Sequence, residues 1–135
     1  MYSYQFIKDE DYKMLGVWWK ENRFPIPPKM MLPENGKGGI IVFKDEKPVC
    51  AGFLYLTNSN VGIIEYIVAD FQIKDRQLRK GALQFLINEL GNIAKKNQRT
   101  VVFTSLKNQG LKKQFLECGF VVGDENTTQL IKIIL

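Results

Sequence analysis

The apolar pattern changes period twice between Val61 and Thr104, and that change constrains the fold more than any other feature of the chain. Val61 to Ala69 (Val-Gly-Ile-Ile-Glu-Tyr-Ile-Val-Ala) reads as a strand. From Arg76 to Asn97, apolar residues recur at 78, 82, 85, 86, 90, 93 and 94, the stripe of one long amphipathic helix. Thr100 to Thr104 is a short apolar run that predicts a buried strand. Strand, long helix, strand is a βαβ crossover, which calls for parallel pairing and right-handed geometry.

The elements on either side fit around this unit. Tyr2 to Ile7 alternates as a strand, and Asp9-Glu10-Asp11 supplies N-terminal charge for a helix that aligns Tyr12, Leu15, Trp18 and Trp19. Residues 21 to 38 carry Pro25, Pro27, Pro28 and Pro33 and read as a long irregular loop, a candidate wall for a substrate site. Gly39–Phe43, a turn at Lys44–Pro48, Val49–Thr57 and then Val61–Ala69 make an antiparallel meander. After the crossover, Asn108–Glu117 predicts a second helix stopped by Gly119. Phe120–Val122 and Thr127–Leu135 predict a final hairpin around Gly123–Asn126. The expected fold is α/β (α+β), with a mixed central sheet in the order β-α-loop-β-β-β-α-β-α-β-β. The 135 residues suit a single domain, 1–135.

Composition removes several chemistries. The chain has no histidine, so it has no Ser-His or Cys-His pair, no imidazole base and no histidine-containing zinc site. Its two cysteines, Cys50 and Cys118, cannot form a Cys₄ site and read as buried free thiols of a reducing compartment. No metal is expected. No run approaches a membrane span, and Met1–Gln5 lacks the pattern of a signal peptide, so the expected location is cytoplasmic and no membrane partner is expected. The net charge of +5 is uneven. Residues 74 to 113 hold ten basic and two acidic residues, a net +8, against −3 elsewhere. Such a block fits a phosphorylated cofactor, a nucleic acid or a solvated face.

The +8 block begins at the long helix. A helix start presents free N–H groups and the positive end of the dipole, a ready anion site. Gly81 and Ala82 would let a phosphate approach the backbone there, and Arg76, Arg79 and Lys80 add charge.

The order of elements and two motifs resemble the GNAT superfamily of N-acetyltransferases over nearly the whole chain. The family's pyrophosphate loop is Q/R-x-x-G-x-G/A followed by x-x-L-L. Gln77-Leu78-Arg79-Lys80-Gly81-Ala82 and Leu83-Gln84-Phe85-Leu86 match it with Lys80 in place of the middle glycine. A one-residue shift matches Arg76, Arg79 and Gly81 instead. Asn108, Gly119 and Phe120 match the family's N-x-x-A-x-x-x-Y-E-x-x-G-F, with Leu111 at the small residue and Phe115 at the tyrosine.

The resemblance implies an acetyl-CoA-dependent N-acetyltransferase acting by direct attack of a primary amine. Acetyl-CoA would lie between the Val61–Ala69 and Thr100–Thr104 strands, with the backbone of Ile67, Val68 and Ala69 pairing with the pantetheine arm and polarising the thioester carbonyl. Gln77, Leu78, Arg79, Lys80, Gly81 and Ala82 would bind pyrophosphate, and Asn108 and Phe115 would complete the cofactor site. Phe115 lacks the hydroxyl that protonates the departing thiolate in much of the family. With a thiol pKa near 8.5 the cost is about one to three orders of magnitude in rate.

Glu65 is the candidate general base, being the only charged residue between Val61 and Ala69. The alternative is a solvent-facing or lysine-paired carboxylate. Tyr66 is expected on the opposite face, in the core, and Asp70 as a turn cap. Trp18, Trp19 and Phe24 either line an amine pocket or fill the core. Lys107, Lys112 and Lys113 either meet the 3′-phosphate of CoA or are solvated. The acceptor would be a small-molecule or a protein or peptide amine. Nucleic acid enters that reading only as a charged-tRNA-type acceptor, and a homodimer is compatible with it. The competing readings are a non-catalytic CoA-binding or interaction module on the same fold and, ranked lowest, a nucleic-acid-binding protein using residues 74–113.

Overall fold

The computed structural model describes residues 1–134. Five strands form one sheet in the order β1-β2-β3-β4-β5: β1 (Tyr2–Phe6), β2 (Gly39–Lys44), β3 (Lys47–Leu56), β4 (Val61–Ala69) and β5 (Val101–Phe103). The first four pair antiparallel, and β5 pairs parallel to β4, Val61 with Val101 through Ile63 with Phe103. Helix α2 (Arg76–Lys96) makes the crossover between β4 and β5. Helix α1 (Tyr12–Glu21) follows a short 3₁₀ turn at Asp9–Asp11, and α3 (Gln109–Glu117) follows β5.

Strand alternation divides the core between the two faces of the sheet. Ile40, Val42, Cys50, Leu54 and Ile64 turn toward α2 and α3, where they meet Leu86, Leu90 and Phe115. Ile41, Ala51, Phe53 and Val68 turn toward α1 and meet Leu15, Trp18 and Trp19. Trp19 stacks on Phe53 at 6.1 Å. Both tryptophans are therefore core, not pocket walls. Cys50 lies in the middle strand of the sheet, fully buried, and desolvation pushes its thiol pKa far up. Cys118 is half-buried and free.

The expected final hairpin does not form among the described residues, and residues 120–134 contain no strand. Helix α3 closes in a Schellman cap, with Gly119 at φ +96° and Phe120 donating its N–H to the Phe115 carbonyl at 3.1 Å. Phe120 thereby belongs to the helix end and stacks edge-on against Phe115 at 4.9 Å. Only Val121 and Val122 remain for a first arm, too few to hold a second. Leu135 lies outside the described residues.

Candidate functional site

The regular course of β4 breaks at one point. Phe53 pairs with Glu65 and Ala51 with Val68, so Tyr66 and Ile67 share a single partner, Gly52. This is a β-bulge, and Tyr66 sits in it at φ +57°. That left-handed conformation costs a side chain of this size about 1–2 kcal/mol. A Cβ on Gly52 would stand 3.0 Å from the Ile67 side chain and 3.3 Å from Leu86 and Leu90, so the glycine makes room for the bulge.

The other edge of β4 opens at the same level. β5 pairs only as far as Ile63, Thr104 Oγ1 donates to the Ile64 carbonyl at 2.8 Å, and the Ser105 N–H donates to Glu65 Oε1 at 3.3 Å. Beyond that contact no strand among the described residues lies along the β5 side of Glu65–Ala69. The two parallel strands splay apart, and Glu65 stands at the fork.

Glu65 is half-buried, and desolvation raises its pKa above the ordinary carboxylate value, opposed by the Ser105 hydrogen bond. Tyr55 lies beside it, and Tyr66 follows it in the chain. Tyr55 is pushed up to about 12, by burial first and then by its neighbours Tyr66 and Glu65. Its hydroxyl donates to the Met31 carbonyl at 2.6 Å and pins the proline-rich loop to the sheet. Phe24, from the start of that loop, meets the Tyr66 ring edge-on at 6.4 Å. Tyr66 was expected on the face opposite Glu65. The bulge removes the alternation, and Tyr66 joins the α1-side cluster that also holds Phe53, the cross-strand partner of Glu65. At the end of β4, Asn22 Nδ2 donates to the Ala69 carbonyl at 3.0 Å and to Trp18 at 2.8 Å, fastening α1 to the strand. Asp70 caps the next turn through Gln72 N–H at 2.9 Å.

The start of α2 is arranged differently. Asp75 is its N-cap, and its Oδ1 accepts from the amides of Gln77 and Leu78 at 3.1 and 3.2 Å. The Arg79 amide already bonds within the helix, to the Asp75 carbonyl. The Arg79 guanidinium reaches the Ile73 carbonyl at 3.5 Å, and Lys80 pairs with Glu117 of α3 at 3.4 Å. Gly81 faces β1. A Cβ there would collide with the Tyr2 hydroxyl, which donates to the Leu78 carbonyl at 3.0 Å. The glycine thus lets α2 lie close on the sheet. Ala82 is fully buried in the core beneath it.

Helix α3 also spends its matched residues on structure. Asn108 Oδ1 caps it by accepting from the Leu111 amide at 2.8 Å. Phe115 is 2% exposed and belongs to the α2-side core. Lys112 pairs with Glu125 at 3.9 Å, and Arg99 donates to the Thr57 and Asn97 carbonyls. Arg79, Lys80, Arg99 and Lys112, four of the ten cations of the +8 block, are therefore engaged within the chain. A concavity of about 520 Å³ is built from Leu54, Leu90 and Ile93 on the α2 face together with Phe6, Pro33 and Lys37, and Glu65 does not line it. No helix among the described residues is long and apolar enough to cross a membrane, and no group of metal-ligating side chains is present among them.

No family model matches the sequence, and no curated protein matches it at significance. Solved structures do match the fold. The chain aligns with the ribosomal-protein-S18-alanine N-acetyltransferase of Escherichia coli at a TM-score of 0.69, with 15% identity, over 92% of this chain and 80% of that one. It aligns with N-acetylglutamate synthase of Neisseria gonorrhoeae, complexed with coenzyme A and L-arginine, at a TM-score of 0.72 and 15% identity, over 96% of this chain and 29% of that one. AAC(6')-Iy, in complex with a CoA-linked bisubstrate analog, aligns at 0.70 and 11% identity, over 98% and 99%. The fold is that of the GNAT acetyltransferases.

Within this GNAT fold the residues singled out from the sequence fall into two groups. Glu65, Ile67, Val68 and Ala69 lie together along the open edge of β4. Gln77 to Ala82 lie at the start of α2, where an Asp75 carboxylate, a Glu117 partner and the Tyr2 ring already occupy much of what they offer. Tyr55, Ser105, Asn22 and Asp75 were not singled out. Asp75 was legible as an Asp just ahead of the helix stripe. Gly52 inside a strand pattern was the one available signal of the bulge.

Proposed function

We propose that the chain is an acetyltransferase that uses acetyl-CoA to acetylate a primary amine, with Glu65 as general base. The observation that carries the reading is the β4 break, where a bulge, an open strand edge and a half-buried carboxylate coincide. Strained backbone of this kind concentrates at functional sites.

Acetyl-CoA, when bound, supplies an activated thioester carbonyl. The open edge of Ile67–Ala69 offers backbone groups for its arm and for the charge that develops on the carbonyl oxygen. Glu65 takes a proton from the acceptor ammonium, directly or through one water, so that the free amine attacks; the C–S bond then breaks, and the nitrogen's second proton passes to solvent or to the released thiolate. Its raised pKa makes it a stronger base than an exposed glutamate. Phe115 is buried against Phe120 and has no proton to give, so the thiolate leaves unassisted. Tyr55, Tyr66 and Phe24 form the aromatic side of the acceptor site.

A thiol-release assay with acetyl-CoA over a panel of amines, preceded by calorimetry, tests this. Binding together with turnover supports it, and no binding at millimolar acetyl-CoA overturns it. The second reading, a CoA-binding module without turnover, draws support from the self-capped start of α2 and the missing acid at Phe115. Binding without turnover on any amine would favour it.

A further inference from the structure

The parallel pairing of β5 with β4 has a rhythm that leads to the fork. The Asn60 carbonyl, just ahead of β4, accepts from the Thr100 amide at 2.9 Å and from the amide of Val101, the first residue of β5, at 3.2 Å. The Val101 bond opens the ladder, and in a parallel ladder such a bond recurs every second residue on both strands. The Gly62 carbonyl is then due the Phe103 amide, and the Ile64 carbonyl is due the Ser105 amide. That last bond is exchanged for two others. The Ile64 carbonyl accepts from Thr104 Oγ1 at 2.8 Å, and the Ser105 amide turns to Glu65 Oε1 at 3.3 Å.

The exchange depends on the side chain at 104. The Ile64 carbonyl is partly buried and calls for a donor. A hydroxyl serves it as well as an amide does, and Thr104 follows Phe103, the last paired residue of β5. With the hydroxyl in place the carbonyl is satisfied, and the Ser105 amide is left over for a carboxylate. Without it, the Ile64 carbonyl reclaims the ladder's own donor, and the fork closes by one rung. No salt bridge among the described residues reaches Glu65. The titratable groups beside it are the phenols of Tyr55 on β3 and Tyr66 on β4. Helix α1 brings Trp18, Trp19 and the Asn22 amide to β4 rather than a charge.

We propose that Thr104 is a positioning residue for Glu65: its hydroxyl takes the Ile64 carbonyl, releases the Ser105 amide from the β4–β5 ladder, and so fixes that amide on the Glu65 carboxylate. Its role in turnover rests on Glu65 being the general base. A hydrogen bond to a carboxylate favours the charged form. The Ser105 amide therefore opposes the desolvation that raises Glu65, and Thr104 limits through it how far the base rises. Two or three backbone N–H bonds lower a carboxylate by roughly two pH units, so one is worth about half a pH unit to one. Tyr55, pushed up to about 12, stays neutral across the range in which Glu65 titrates.

The test follows the Glu65 carboxyl carbon by NMR through a pH titration of the full chain, the signal being assigned by its absence in Glu65→Gln. Thr104→Val keeps the shape and removes the hydroxyl, and circular dichroism with thermal unfolding checks its fold. Its Glu65 titration is expected to move up by about half a pH unit to one, and Thr104→Ser is expected to return it to the wild-type position. Ser105→Pro removes the amide itself and is expected to give the same rise with Thr104 intact, which serves in place of a Thr104→Val protein that does not fold. The double variant is expected to rise no further than either single one, because both act on one bond. An unmoved titration in Thr104→Val, a Thr104→Ser protein that stays shifted, or shifts that add in the double variant overturns the proposal. The acid limb of kcat/KM for amine acetylation is expected to move with the signal, and a limb that stays while the signal moves overturns the role in turnover. The carbon signal needs no turnover. A shifted signal in a protein that acetylates no amine supports the positioning and counts against the acetyltransferase reading, and turnover with an unshifted signal does the reverse.

Discussion

The open end of β4 and the start of α2 are both places where regular secondary structure leaves backbone groups over, yet the chain treats them in opposite ways. At β4 it holds strain and leaves the edge without a neighbouring strand among the described residues: Tyr66 holds a left-handed conformation, β5 stops short of Glu65, and the Ala69 carbonyl is met by the Asn22 side chain. At α2 it satisfies the groups from within, with Asp75 on the amides, Glu117 on Lys80 and Tyr2 against Gly81. The first arrangement is costly unless something binds. The second is stable alone. Backbone without a strand partner is thus concentrated at the strand break, whereas part of what the helix start offers is already engaged within the chain.

Removing the base should break that contrast most. Glu65→Gln is expected to lower kcat/KM for amine acetylation by about a hundredfold or more at pH 7, with acetyl-CoA affinity unchanged by calorimetry. Wild-type activity should fall as the pH drops through a Glu65 pKa raised above the ordinary carboxylate value, and that acid limb should vanish in the variant. An unchanged pH profile would assign the base elsewhere.

The closed end is tested by Gly81→Val. If the glycine serves the contact with β1, the variant should lose about 1–3 kcal/mol of unfolding free energy, and a second change, Tyr2→Ala, should recover part of it. A folded, fully stable Gly81→Val protein would remove the packing explanation. The strain at the open end is read by comparing Tyr66→Gly with Tyr66→Ala. Both lose the ring, so the glycine variant should be the more stable by about 1–2 kcal/mol in denaturant titrations, because only the backbone conformation differs between them. The smallest effect is expected from Asp75→Asn, which keeps a capping oxygen and removes a charge. Acetyl-CoA should then bind about two- to fivefold tighter, the size of one charge at a helix terminus. Weaker binding would mean that the phosphates do not sit there.

Much of the scaffold was legible because it rests on periodicity. The α2 stripe and the meander follow from spacing alone, and the structure reproduces both. The final hairpin was misread because Thr127–Ile134 has strand composition, and composition does not reveal whether a partner is within reach. Glu65 stood out as a lone charge in an apolar strand, whereas nothing in Glu65-Tyr66-Ile67 marks the bulge, since a tyrosine holds the conformation that a glycine usually takes. Gly81-Ala82 also fits a helix packed tightly on a sheet, which calls for small residues as a phosphate cradle does. Charge counts do not distinguish free cations from paired ones.

The burial of Cys50 gives the molecule a clock. A thiol reagent added to the native protein should modify the half-buried Cys118 first, since only an accessible thiolate reacts. Cys50, between Val42 and Ala69 in the centre of the sheet, becomes available only when those strands part. In a Cys118→Ser background, the rate of modification at saturating reagent therefore times the opening of the sheet itself, with no probe introduced.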